Sequence, residues 1–222
     1  MLKIMLTDFY GNPLTTSTGL ARDSYDIGLR AFLSANYGAQ EAFSLAIEAD
    51  PNFTLAYLGL SRAFISSGQI GDAKAVIGKA KNLLEGITDR EKSHFLCCEI
   101  ILLGEAKKAR IAVQNHVSEW PRDAMIAQMC TSVFGLIGFS GEEGRENDLL
   151  EYTAKLLPHY GEDWWMMSMH AISLCETGQT LKSMQLMEKA LSLNSRNANA
   201  AHFFAHILYE ENEVSVGRDY LA

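Results

Sequence analysis

One pattern recurs along this chain at a spacing of about 34 residues: a helix-length apolar stretch, a glycine, then a second helix-length stretch. In TLAYLGLSRAFISSGQIGDAKAVIGKAKNL, residues 54–83, Tyr57, Leu60, Ser61 and Phe64 fall three and four apart, as one face of a helix requires. Gly68 interrupts the pattern, and Ala73, Ile77 and Ala80 then set a small, large, small stripe on the next helix. Small residues let two helix backbones approach, and large ones fill the groove between them. Such a pair cannot bury its outer apolar positions alone, so it must stack on its neighbours.

The same register returns around Gly104, with Leu96, Cys97 and Ile100 before it, Ala109 and Val113 after it, and Pro121 at its close. It returns again around Gly178, with Ala171 and Leu174 before and Met187 and Ala190 after. Degenerate copies lie at Ala39, Phe43 and Ala46, at Ala127, Thr131 and Phe134 followed by LLEYTAKLL, and from Ala198 onward. With only four prolines and no sustained apolar/polar alternation, the chain offers no sheet. This is the tetratricopeptide pattern. It predicts an all-α fold, a right-handed α-α superhelix of about six helix pairs. The expected organisation is one domain over 1–222, with an N-terminal segment 1–16 and pairs at 17–50, 51–86, 87–121, 122–160, 161–195 and 196–222, the last incomplete.

Local signals punctuate the pairs. Asp50-Pro51 reads as a helix N-cap with proline at the first helical position, and Thr88-Asp-Arg-Glu91 reads as a capping box. GFSGEEGRENDLL, 138–150, carries three glycines and a charge run and reads as a long connection inside the fourth pair.

Composition narrows the function classes. Hydrophobic residues make up 48% of the chain and charged ones 21%, enough apolar material for a large core. The net charge of −8, without a lysine or arginine cluster, argues against nucleic acid and anionic membranes as partners. MLKIMLTDFYGN lacks the core of an export signal, and the apolar stretch 124–139 is too interrupted to span a bilayer, so a cytoplasmic location is expected. Cys97, Cys98, Cys130 and Cys175 include no C-x-x-C pair and fall in apolar helical patterns, where a thiol packs as a small hydrophobe.

The chain also resembles the tetratricopeptide repeat protein 38 family. The resemblance rests on Asp8-Phe-Tyr-Gly11 with Leu14-Thr-Thr-Ser17, Asp50-Pro51-Asn-Phe53-Thr-Leu-Ala56, and Thr88-Asp-Arg-Glu91-Lys-Ser-His94. It continues in Trp120-Pro121-Arg122-Asp123-Ala124, Glu176-Thr-Gly178, and Ala201-His202-Phe-Phe-Ala205-His206. It departs at Asn194-Ser195, where the family pattern has proline, and at Asn199, where it has tryptophan. The resemblance implies the helical-repeat fold and a parent longer than this chain; it implies no activity. The final segment EVSVGRDYLA supplies a short last helix ending on Tyr220-Leu221, an apolar end that either the continuation of a longer protein or a second copy of the chain would cover.

A stack of this type exposes one face of each first helix to a groove. By the register above, that face carries Arg62, His94, Gln128, Trp165, Ser168, Glu176, His202, His206, Tyr209 and Glu210. The expected function is a scaffold that holds a protein or peptide in this groove, with no cofactor. An alternative centres on His202 and His206, one helical turn apart, which with Glu176 or Glu210 could hold a zinc ion in an enzyme or small-ligand site. Phe203 stands where H-E-x-x-H hydrolases carry glutamate, and no phosphate-binding glycine loop or G-x-S-x-G is present, so a binding role is favoured over catalysis.

Overall fold

The structure, a computed structural model, describes residues 5–221, with the backbone alone described at Leu221. Among the described residues there are twelve α-helices and no strand; a single antiparallel bridge joins Thr7 to Pro13. The chain divides into two compact units, residues 1–32 with 37–127, and residues 33–36 with 128–222.

The first unit holds α1 (Gly19–Leu33), α2 (Ala39–Ala49), α3 (Thr54–Ser66), α4 (Ile70–Lys81), α5 (Asp89–Leu102), α6 (Ala106–Glu119) and the single turn α7 (Ala124–Ala127); the last residue of α1 groups with the second unit. In the second unit a short 3-10 turn, Gln128–Cys130, precedes α8 (Arg145–Tyr160), α9 (Trp164–Glu176), α10 (Thr180–Leu193), α11 (Ala198–Glu210) and α12 (Val214–Leu221).

The repeat glycines act through one backbone device. Gly68, Gly104 and Gly178 take φ of 74°, 76° and 76° after α3, α5 and α9, a left-handed region that costs other residues a Cβ clash. Each is followed by a residue whose N–H closes back on the helix: Gln69 on Phe64, Glu105 on Ile100 and Gln179 on Leu174. These closures satisfy the last carbonyls and turn the chain into the next helix. The small stripe positions then fix the pairs. Ser61 Oγ donates to Ala73 O across α3 and α4 (3.1 Å), and Ser183 Oγ donates to Ala171 O across α9 and α10 (2.5 Å). In the first unit the Phe43 ring is seated between two glycines: a Cβ on Gly28 or Gly59 would meet it at 2.8 or 2.5 Å.

Two local expectations change. Asp50 does not cap α3: it ends α2, and its carboxylate accepts from Asn52 N and Thr16 Oγ1, while Thr54 begins the next helix. The caps with side-chain acceptors are instead Thr88, Asp163 and Asn197. The first helix expected across Ala127, Thr131 and Phe134 stops after one turn. Leu136 N–H bonds back seven residues to Met129 O, closing a compact loop in which a Cβ on Gly138 would lie 2.4 Å from Val133 O. The connection therefore runs from 131 to 144, and α8 already starts at Arg145.

Candidate functional site

The first unit encloses a polar cluster in its core. Thr88 begins α5 as the capping box anticipated, its Oγ1 accepting from Glu91 N while Glu91 Oε2 accepts from Thr88 N. The other carboxylate oxygen of Glu91 accepts from the backbone N–H and hydroxyl of Thr15, at 3.1 and 2.9 Å. One fully buried carboxylate thus starts a helix and ties down the N-terminal segment.

One turn of helix presents Arg90 and His94 to Asp123, which follows the Trp120-Pro121-Arg122 turn, and Ser93 to His116. Arg90 Nη1 donates to Asp123 Oδ2 at 2.5 Å and Nη2 donates to Pro13 O at 2.9 Å. His94 Nδ1 lies 3.0 Å from the same carboxylate oxygen. His116 Nε2, from α6, faces it at 3.2 Å, an electrostatic contact and not an aligned hydrogen bond. His116 Nδ1 meets Ser93 Oγ at 2.8 Å. Behind this group, Asp8 accepts from Tyr10 N, Asn12 N and the Asn12 amide, and Asn12 also donates to Arg122 O at 3.0 Å.

Burial and charge oppose each other here. Burial alone would raise the Asp123 carboxyl, but the facing His94 with its hydrogen bond, the Arg90 cation and the adjacent His116 imidazole hold it well below the usual carboxylate range. Burial lowers the His94 pKa, with Asp123 opposing only in part. An ionised carboxylate accepts only, so His94 carries its proton on Nδ1, and its buried Nε2 is left without a partner. Burial raises Asp8 despite its hydrogen bonds from Asn12.

These placements revise several site expectations. His94 is fully buried and serves Asp123, so it does not line an open groove. Arg62 is also buried, with its guanidinium 5.5 Å from the Phe32 ring centre. In the second unit Trp165 is fully buried against Tyr160, ring centres 5.5 Å apart, and buried Ser168 Oγ donates to Trp165 O. A ligand meets none of these four side chains without repacking. The four cysteines are buried too; burial pushes Cys97 up to about 12 and Cys175 to about 11, and Cys98 further.

The exposed candidates all belong to the second unit. Gln128 is half-buried; Glu176, His202, His206, Tyr209 and Glu210 are exposed. The His202 and His206 rings stand edge to face with centres 4.7 Å apart. Among the described residues, no three His, Cys, Asp or Glu side chains are close enough together to hold a metal ion, so the pair lacks the third ligand expected from Glu176 or Glu210. Glu176 does link two surfaces electrostatically. Burial raises its pKa, His206 of α11 opposes this, and the like charges of Glu146 and Glu210 add to it. It also lines a depression of about 180 Å³ with Val133, Phe134, Phe139, Arg145, Glu146 and Leu149. Phe134 and Phe139 stand beside it 73% and 75% exposed, their ring centres 6.0 Å apart.

Sequence reasoning missed Arg90, Ser93, His116, Asp123, Asp8 and Phe139. The available signal was that Asp8, the 88–94 segment and the 120–124 segment all carried the family resemblance while lying far apart in the chain. At the C-terminus, the Tyr220 ring packs on Phe204 at 5.0 Å; the side chain of Leu221, invoked for self-association, lies outside the described residues.

Repeated helix pairs closed by left-handed glycines and locked by small residues define a tetratricopeptide-type helical-repeat fold. Two solved structures are similar to the chain. A chain in the crystal structure of the APC/C hetero-tetramer Cut9-Hcn1 is similar over 90% of this chain, with a TM-score of 0.55 and 16% identity. The match spans only 39% of that chain. YrrB, described as a TPR protein with an unusual peptide-binding site, is similar over 81% of this chain and 87% of its own, with a TM-score of 0.43 and 16% identity. No family model and no curated protein matches the sequence. No helix among the described residues is long and apolar enough to cross a membrane.

Proposed function

We propose that the chain is a tetratricopeptide-type scaffold that binds a protein partner through the second unit, and that the partner offers a basic segment with an apolar anchor. The observation that carries this reading is the pair Phe134 and Phe139, two largely exposed rings beside the depression that reaches Glu176. Exposed aromatic side chains of this size lose little conformational entropy on binding and supply much of the energy at interfaces. Charge supports the choice of partner. The second unit holds 13 of the 27 acidic side chains and only six of the 19 basic ones, so nearly all of the net charge of −8 belongs to it. Glu146 and Glu176 line the depression and Glu142 and Glu143 follow Phe139 in the sequence; Arg145 also lines it, paired with Glu146 at 3.0 Å, and the remaining excess of carboxylates attracts lysine and arginine.

Of the groove residues read from the sequence, Glu176, His202, His206, Tyr209 and Glu210 remain in this proposal as the rim on α9 and α11. The same reading takes the chain as a cytoplasmic relative of the tetratricopeptide repeat protein 38 family. The test is a fluorescence titration with lysine-rich peptides containing one aromatic or leucine anchor, beside acidic peptides of the same design. The expected result is binding of the basic set, weakened at least about tenfold by Phe134→Ala with Phe139→Ala. Preference for the acidic set, or binding indifferent to the double variant, overturns it.

A further inference from the structure

Ser93, His116 and Asp123 form a chain of polar groups leading from the buried cluster of the first unit to its surface. Ser93 Oγ lies 2.8 Å from His116 Nδ1, and His116 Nε2 faces Asp123 Oδ2 at 3.2 Å. The two ends differ in exposure. Asp123 and His116 are buried, whereas Ser93 is half-buried and lines a cleft of about 280 Å³. The cleft walls are Leu96, Cys97, Ile111 and Ala112, with Lys108 and Asn115 as the other polar residues.

We propose that Ser93 is a nucleophile that takes the acyl group of a carboxylic ester with a short apolar acyl chain, with His116 as its base. A serine hydroxyl is a weak nucleophile until a neighbouring base removes its proton. The ionised Asp123 supplies the condition for that base: it favours the proton of His116 on Nε2, which leaves Nδ1 to accept from Ser93 Oγ–H. The three groups hold the roles of a serine, histidine and aspartate triad with the two ring nitrogens exchanged. Arg90 and His94 bond to the same carboxylate oxygen that faces His116 and hold it in place, so Asp123 acts as a positioning residue through His116.

The step balances with water alone. Ser93 Oγ bonds to the ester carbonyl carbon as its proton passes to His116 Nδ1; the carbon–oxygen bond to the alcohol breaks, and the alcohol leaves with that proton. Water then attacks the acyl carbon, gives a proton to His116, and Ser93 recovers it as the carboxylic acid departs. The developing oxyanion needs donors. Ser93 sits in the second turn of α5, where backbone N–H groups are committed to the helix, so the Lys108 ammonium and the Asn115 amide are the donors that line the cleft. Lys108 also pairs with Glu105 at 2.8 Å on the exposed surface, a bond of little net worth that an oxyanion can displace. The apolar walls, without a second charged group, select an uncharged acyl chain.

This proposal is independent of the partner surface on the second unit, and its test uses the full chain. The chain is incubated with a butyl fluorophosphonate, and the labelled peptide is mapped by mass spectrometry; release of p-nitrophenol from p-nitrophenyl butyrate is followed in parallel. One label per chain at Ser93 is expected, with label and ester cleavage both absent in Ser93→Ala. Ile111→Trp fills the cleft from an exposed position, and it should slow labelling at least about tenfold with the helical circular dichroism unchanged. A folded wild-type chain that takes no label at Ser93, or an Ile111→Trp chain labelled at the wild-type rate, overturns the proposal.

Discussion

Arg90 Nη1 and Asp123 Oδ2 stand 2.5 Å apart with both side chains under 5% exposed, and two histidines share the same carboxylate oxygen. An ion pair so deeply buried is costly to leave half-made, because the remaining charge has neither water nor a partner. Asp123→Ala is therefore expected to lower the stability of the first unit by about 3–5 kcal/mol, the usual cost of orphaning a buried charge. Urea unfolding followed by circular dichroism measures it. A loss under about 1 kcal/mol, as for a surface pair, contradicts this account.

The same cluster sets a pH dependence. His94 has a folded pKa below its ordinary 6.5, so as pH falls below 6.5 the unfolded chain takes up a proton that the folded chain resists. Stability should fall from about pH 6.5 downward. Asp123, held well below its ordinary 3.8, adds a second loss at acid pH below that value. Asp26 works in the opposite sense: burial raises it to about 6, so it favours the folded state as pH drops from 6 toward 4. His94→Gln should flatten the stability profile below pH 6.5, and Asp26→Asn should steepen it. Unfolding midpoints at half-unit pH intervals check both signs.

Phe43 supplies a steric prediction. Gly59→Ala places a methyl group 2.5 Å from the Phe43 ring, which also touches Gly28 on its other helix. Overpacking of this kind costs about 1–3 kcal/mol. Pairing Gly59→Ala with Phe43→Leu should recover part of the loss, which a double-mutant cycle by thermal unfolding would show.

Glu91 joins the start of α5 to Thr15. Glu91→Gln keeps the shape but turns one of the two accepting oxygens into an NH2 donor, so the backbone N–H of either Thr15 or Thr88 loses its acceptor and the remaining bond is to a weaker, neutral oxygen. Faster amide hydrogen exchange at Thr15 and Thr88 is expected, with exchange in α9 unchanged. Equal acceleration in both units would show a global loss of stability in place of a released segment.

The repeat was legible because helix periodicity and glycine punctuation are local signals. The capping box at Thr88 and Glu91 was readable for the same reason. Asp50-Pro51 misled because the same dipeptide serves a turn equally well, and the hydrogen bonds to Asn52 and Thr16 settle it as one. Phe134 was given a core position by register, yet the loop closed by Leu136 and Met129 turns it outward. Asp8, Arg90, His116 and Asp123 come from four separate stretches, and no period connects them; only packing brings them together. The register assigned His94 and Trp165 to a groove face, and both are fully buried, because periodicity does not say whether a face meets solvent or another helix.

The central claim is that a basic, apolar-anchored partner docks on the second unit beside Phe134 and Phe139. Nuclear magnetic resonance of the isotope-labelled chain during titration with such a peptide tests it most directly. The account predicts shift changes concentrated at Phe134, Phe139, Glu176 and His206, diminishing as salt is raised because the attraction is partly electrostatic. Shift changes confined to the first unit, or a response at Phe134 and Phe139 to acidic peptides alone, would contradict it.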